Sequence, residues 1–378
     1  MYAAKLILNN PLLCSIKTTV KDLISADKQV GNLVAKKDNM SDKLRHDILL
    51  SLVAYSNDIP HPASGNTSGS ESESAPNTLI RWQVLAYVAS IDLTIAKWFE
   101  SHLDALSILH ELGYEQSTAG LWAIWAAEGH PDPIRYEQGK ISGTKAWCSG
   151  ANMVNHGLLT YRDEDGQSQL LIVAMQQAGI AIDNSEWQAV GMQASDTATV
   201  QFHEVAASNV GAPNAYLDRV GFWHGAAGVA ACWYGAAATL AAYLIEADQH
   251  KPNDYKAMYL GQISTALAIT QQYFHHVADL IDTRPQDSHE LAIRQLRAQV
   301  EQTARLVIDT VGQALGAAPF CRNAHFARLS ADLAVFIRQS HGAFDSQKIG
   351  ELTSQLANQS ANDSADSLTA RQDNIWQL

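Results

Sequence analysis

The sequence predicts an α+β protein built in three consecutive parts: a helical N-terminal domain, a middle β domain and a C-terminal helical bundle. Three observations carry this expectation. From Val84 to His110 apolar residues recur at three- and four-residue steps. Between roughly Ala119 and Pro213 the period changes to short strand-like runs, and beyond Tyr216 the helical stripes return.

In the first part, residues 1–115, one apolar stripe runs through Val88, Ile91, Ile95, Trp98, Phe99, Leu103, Leu106 and Leu109, with Gly113 as its stop. The segment 60–76 is rich in Gly, Ser and Pro with nothing to bury, so a mobile loop is expected there. The second part, 116–213, holds the runs Gly157–Tyr161, Gln169–Met175 and Thr199–Val205, the first two joined by a hairpin turn at Asp163-Glu-Asp-Gly166. Val200, Phe202 and Val205 alternate imperfectly. In the third part, 214–357, Leu260, Ile263, Leu267, Phe274, Val277 and Ile281 form one stripe, and Ile293, Leu296, Val300, Val307 and Val311 another. Arg284-Pro285 marks a bend between them, because proline lacks the N–H that a continuing helix needs. The small-residue run from Gly225 to Ala238 suits a helix packed closely on its neighbours. A polar tail, 358–378, is expected to fray.

Bulk properties narrow the function. With 378 residues, 47% of them hydrophobic and 17% charged, the chain is globular and long enough for two or three domains. A formal charge of -13 without a basic stripe argues against a nucleic-acid or anionic-membrane surface and for a small-molecule partner. Cys14, Cys148, Cys232 and Cys321 lack metal-type spacing, so free thiols, no metal site and a cytoplasmic location are expected. No apolar run approaches membrane-spanning length and no signal peptide is evident.

The most informative local segment is Lys140-Ile-Ser-Gly-Thr-Lys-Ala-Trp147-Cys-Ser149-Gly-Ala151. Residues i and i+2 share a strand face, so Trp147 and Ser149 are expected side by side. An indole covers a flat ring and a hydroxyl donates to a ring nitrogen; a flavin offers both. Gly143-x-Lys145-x-Trp147-x-Ser149 resembles the Gly-x-Lys-x-Trp-x-Thr strand of the acyl-CoA dehydrogenase family. Gly191-Met192 through Ser195, Thr197, Val200, Phe202 and Val205 is similar to the strand that leaves that family's β domain, and Gln313-Ala-Leu-Gly316 resembles its Gln-x-x-Gly-Gly turn.

The resemblance covers nearly all of the chain. It implies an all-α N-terminal domain, a middle β-barrel domain and a C-terminal four-helix bundle. It also implies FAD held by Trp147, Ser149, Glu128, Gln313 and Gly316, a homodimer or homotetramer, an acyl-CoA or related substrate, and an electron-transfer partner. Trp223 and His224 would lie where the acyl chain or thioester enters. By spacing alone, Arg338, one helical turn before His341, would either face the same site and hold a carbonyl or phosphate or form a surface salt bridge.

Three departures from the family pattern stand out. Of the family's Thr-Glu-Pro-Gly-x-Gly-Ser-Asp segment only Glu128 is clear, in Trp125–Pro133, where Pro131 and Pro133 remove backbone donors and His130 suits a surface loop. The Tyr-Glu-Gly-Thr turn that supplies the catalytic base is absent: Ser340 stands near the Glu position, and the alternative position falls near Gly225 and Ala226. Where the family has Arg-x-x-Phe-Gly, this chain has Asp248–Asp254, with Lys251 as the available charge.

Three functions follow. In a dehydrogenase acting on CH–CH donors, His341 would replace the missing carboxylate as base beside Ser340; the alternative for His341 is a helix-end histidine. In a flavin monooxygenase, Ser149, Ser340 and His341 would surround the reacting oxygen. In a catalytically inactive binding protein the shell alone would persist.

Overall fold

The computed structural model describes residues 10–31, 40–64 and 77–363. Residues 65–76 of the Gly/Ser-rich segment and 364–378 of the polar tail lie outside the described residues. Helices α1 (Pro11–Gly31) and α2 (Asp42–Val53) precede the pair α3 (Asn77–Ile91) and α4 (Leu93–Glu111). The single helical stretch expected from Val84 to His110 is thus two helices. Asp92 divides them: its extended backbone ends α3, and its carboxylate accepts the N–H groups of Thr94 and Ile95 to cap α4. The other Asp92 oxygen accepts from Arg45 Nε at 2.9 Å, so the break is buried yet charge-balanced. Gly113 closes α4 as the sequence indicates, in the left-handed region at φ +69°.

The β domain has eight strands: β1 (Trp122–Trp125), β2 (Arg135–Glu137), β3 (Lys140–Cys148), β4 (His156–Arg162), β5 (Ser168–Ala174), β6 (Ile180–Asp183), β7 (Ala198–Ala206) and β8 (Ser208–Asn209). They form two four-stranded sheets, β1-β4-β5-β8 and β2-β3-β7-β6, with β1 and β4 parallel and the other pairs antiparallel. In the β4–β5 turn the Asp163 carboxylate accepts from the N–H groups of Asp165 and Gln167. The imperfect alternation of β7 has a local cause. Glu204 adopts φ +54° and the register against β3 shifts between Ile141 and Gly143, so Phe202 and Val205 are both buried across a bulge.

Beyond the short α5 (Ala215–Asp218) come the long helices α6 (Gly221–His250), α7 (Asp254–Thr283) and α8 (Glu290–Leu315), then α9 (Ala317–Arg322), α10 (Ala324–Phe336) and α11 (Gly342–Asp363). The two apolar stripes lie on α7 and α8, with Pro285 in the turn between them, and α11 continues past residue 357. The small residues of α6 put it in the middle of the molecule, packed on α3, α4, α7, α8 and α10. By length and composition α6 would pass for a membrane-crossing helix, but 61% of its most apolar window is buried within the protein.

The turn before β7 docks the β domain on the bundle. Gly191 lies so close to α10 that a Cβ there would sit 2.1 Å from the Ala331 carbonyl oxygen, and the next N–H, of Met192, donates to Asp332 Oδ1 at 2.5 Å. Burial pushes the Asp332 carboxyl up to about 6, against the pull of the Met192 N–H. The folded chain therefore binds that proton more tightly than the unfolded one. Stability from Asp332 is full below about pH 4, falls as pH rises and stays low above about pH 6. Asn at 332 keeps an acceptor for Met192 without titrating. Relative to wild type, Asp332→Asn is expected to gain on the order of 2–3 kcal/mol between pH 4 and 7 in denaturant unfolding. A pH-independent difference between the two proteins contradicts this.

Candidate functional site

Trp147 and Ser149 remain neighbours, but not through strand alternation. Trp147 adopts φ +63°, the register of β3 against β7 shifts between Lys145 and Cys148, and Ser149 lies just past the strand. The bulge turns the indole outward, 64% exposed and edge-on to Trp187 with centroids 6.2 Å apart, while Ser149 is 8% exposed. A left-handed backbone at a bulky aromatic costs about 1–3 kcal/mol, and such strain concentrates at functional sites. Here the surroundings hold it in place. Ser149 Oγ shares a hydrogen bond with Thr197 Oγ1 at 2.8 Å, which shares another with Ser195 Oγ at 2.7 Å. Trp125 Nε1 donates to the Ser149 carbonyl and Trp98 Nε1 to that of Ser195. Lys145, buried beneath the sheet, donates to the Thr160 carbonyl and to Thr160 Oγ1; burial lowers its pKa to about 8.

The two positions where a base would be expected are bridged by a cation. Arg297 of α8, in the core, donates through Nη1 to the Ala226 carbonyl and through Nη2 to the Gln339 carbonyl at 3.5 Å, its guanidinium 4.9 Å from the Trp233 ring centre. One turn earlier, Arg294 pairs with Glu290 and Asp345 and stacks on Trp223 at 4.1 Å. Trp223 is thereby covered by a side chain of its own protein rather than by an open entrance. Ser340 hydrogen-bonds Glu301, a carboxylate that sequence reading missed. Burial would push Glu301 up, but Ser340 and Arg305 as donors, with the Arg305 and Arg338 charges, leave it below its usual value. His341 stands at the start of α11, not at a helix C-terminus: its N–H donates to Asp345 Oδ2 at 3.2 Å, and its exposed ring makes no hydrogen bond among the described residues. Arg338 is exposed, just past α10, with Nε donating to the Ala334 carbonyl of that helix.

The remaining expected cofactor residues lie apart from this cluster. Glu128, on the loop after β1, pairs with Arg162 at 2.9 Å. Gln313 donates to Asp309 on the exposed face of α8, and Gly316 ends that helix at φ +66°. Lys251 caps α6, and the neighbouring Lys256 ammonium donates to the carbonyls of Ala247 and Lys251.

A cavity of about 430 Å³ opens between α4 and α6, lined by Asp104, Ser107 and Glu111 from α4, His224 and Gly225 from α6, and Arg219 before α6. It begins about 9 Å along α4 from Trp98, the residue that touches the Ser195 turn. His224, expected at the substrate, lines it; Trp223 does not. Deeper on the same helical face lies Glu100, which burial pushes up to about 7 against the pull of Lys97 at 3.6 Å. The signal for Glu100 and Asp104 was available in the sequence: two carboxylates four residues apart on a helix that is otherwise buried almost all round.

A helical domain, a two-sheet β domain and a helical bundle, with the β3–β4 turn facing the bundle through the 191–197 segment, constitute the acyl-CoA dehydrogenase fold. Butyryl-CoA dehydrogenase from Megasphaera elsdenii matches with a TM-score of 0.69 and 13% identity, over 91% of this chain and 98% of that one. TdsC from Paenibacillus sp. A11-2, solved with FMN and indole, matches at 0.63 and 17%, over 93% and 96%. Methanesulfinate monooxygenase MsuC from Pseudomonas fluorescens matches at 0.62 and 14%, over 82% and 94%. No family model and no curated protein matches the sequence.

Proposed function

We propose that this chain is a flavin-dependent oxidoreductase that uses dioxygen, a monooxygenase on the acyl-CoA dehydrogenase fold rather than an acyl-CoA dehydrogenase. The observation that carries this reading is Arg297, joined to Ala226 and Gln339 across both positions where the family resemblance calls for a carboxylate. Dehydrogenating an acyl thioester requires a base at the α-carbon, and a guanidinium does not accept a proton near neutral pH. Ser340 is engaged with Glu301, and His341 is exposed at a helix start.

The residues present suit a flavin. The exposed Trp147 indole offers a plane, and the Ser149, Thr197 and Ser195 hydroxyls offer adjustable donors beside it. A bound flavin in its reduced form supplies the two electrons with which one atom of dioxygen enters the substrate and the other leaves as water. The protein's part is to shield that chemistry from bulk water and to place the substrate, for which the α4–α6 cavity is the candidate. The exposed apolar residues Tyr255, Met258 and Ile269 of α7 support a homo-oligomer.

Two measurements on flavin-loaded protein, prepared with FMN and with FAD, decide the reading. Anaerobic butyryl-CoA is expected to leave the oxidised flavin absorbance unchanged, whereas protein carrying reduced flavin is expected to consume dioxygen. Bleaching by butyryl-CoA returns the chain to the dehydrogenases; failure to bind either flavin leaves a non-catalytic shell.

A further inference from the structure

We infer that the α4–α6 cavity takes a small molecule presenting hydrogen-bond donors, an amine or a hydroxyl, rather than an acyl chain; as a statement about substrate this rests on the proposed function. Acceptors that receive no hydrogen bond gather around Asp104 and two histidines of the cavity wall. Arg219, 4% exposed in its side chain, directs Nη1 to Glu111 at 2.9 Å and Nη2 toward Asp104 at 3.9 Å. The second Glu111 oxygen accepts the Gly221 N–H at 2.8 Å. Glu111 is therefore satisfied, while Asp104 accepts no hydrogen bond within 3.5 Å among the described residues.

The histidines are fixed by their neighbours. Ser107 donates its one proton to the Leu103 carbonyl at 3.0 Å, so it must accept from His61 Nδ1 at 2.9 Å; Nδ1 carries the proton and Nε2 is a bare lone pair. His224 Nε2 lies 2.9 Å from the Asp287 carbonyl, which only accepts, so its Nδ1 is the bare nitrogen. Burial, joined for His61 by the Arg81 charge, lowers both pKa values to about 4, and both rings are neutral at pH 7.

Ser64, His110 and Gln286, which also line the cavity, can each both donate and accept. Three acceptors of the wall thus receive no hydrogen bond among the described residues: His61 Nε2, His224 Nδ1 and the Asp104 carboxylate, which has only the Arg219 guanidinium at 3.9 Å. An alkyl chain would strip water from them and give nothing in return. An ammonium carries three N–H groups. A hydroxyl donates one hydrogen bond.

Four probes on one ring separate these properties: cyclohexylamine, cyclohexanol, cyclohexanone and cyclohexanecarboxylate, titrated calorimetrically into the purified full chain with and without FMN. At least one donor probe is expected to bind about tenfold or more tightly than both the ketone and the carboxylate. The leading probe tells amine from hydroxyl. Asp104→Asn, which replaces an acceptor oxygen by an amide donor, is expected to reduce the preference below about threefold. Ketone or carboxylate binding as tightly as the better donor, or no donor binding at all, overturns the inference. Should Asp104→Asn not fold, the wild-type series still decides. Because binding is read without flavin, a colourless protein that still prefers donors sinks the flavin reading and leaves this one standing.

Discussion

Gly235→Val is expected to destabilise the protein by about 4 kcal/mol or more, the largest effect of any single substitution considered, and to lower Tm by roughly 8–16 °C. A Cβ at position 235 would lie 2.1 Å from the Ala86 carbonyl oxygen, 2.6 Å from its Cα and 2.7 Å from its carbonyl carbon. All three are backbone atoms of α3, so no side chain can rotate away; the two helices must separate. Separation opens the contact around Trp82, Leu85, Ala231 and Trp233, which are buried. Gly350→Ala is the control. Position 350 of α11 has nothing within 4 Å of its Cβ, and alanine there is expected to gain about 0.5–1 kcal/mol from helix propensity. Thermal unfolding of the two variants side by side checks the contrast, and similar midpoints would contradict the close helix contact.

The same contact explains what was legible beforehand. Run lengths and periods, which depend on local steric and burial rules, placed the three parts, the Asp163–Gly166 hairpin and the α7–α8 turn at Pro285. What stayed hidden depends on a few residues acting across the fold. Asp92 reads as one polar residue in an apolar stretch until its carboxylate is seen capping α4 and pairing with Arg45. The Trp147 bulge defeats a rule that assumes an unbroken strand, because a left-handed aromatic is a rare backbone state. The family motifs point to Ser340 and to Gly225-Ala226, but the side chain that bridges the neighbouring carbonyls comes from α8, more than 40 residues before Ser340 and 70 after Ala226. No local pattern reports such a contact. Glu100 and Asp104 were visible as carboxylates, yet the burial of Glu100 and the partial burial of Asp104 follow from α6 covering α4.

Arg297→Met is expected to cost about 3–5 kcal/mol although methionine nearly fills the volume. The guanidinium is buried, and its removal leaves the Ala226 and Gln339 carbonyls without that donor and bares the Trp233 face. Charge matters as much as geometry. Burial disfavours the charged Arg297 guanidinium, and the Asp345 and Glu100 charges favour it. Arg297→Lys keeps the charge but replaces the planar fork with a point donor that cannot span both carbonyls, so about half of the loss is expected to remain. Urea unfolding of the three proteins tests the ordering wild type, lysine, methionine. Equal stability of the lysine variant and wild type would mean that charge alone acts here, and that the 339–341 turn is held against α6 by something other than the bridge. The ordering also bears on the proposed chemistry, because a cation fixed across this gap would lower the basicity of a carboxylate placed beside it. A Glu installed at Ser340 would stand beside the Arg297 guanidinium, whose charge favours the ionised carboxylate and lowers its basicity, so Ser340→Glu is expected not to restore acyl-CoA oxidation while Arg297 is in place.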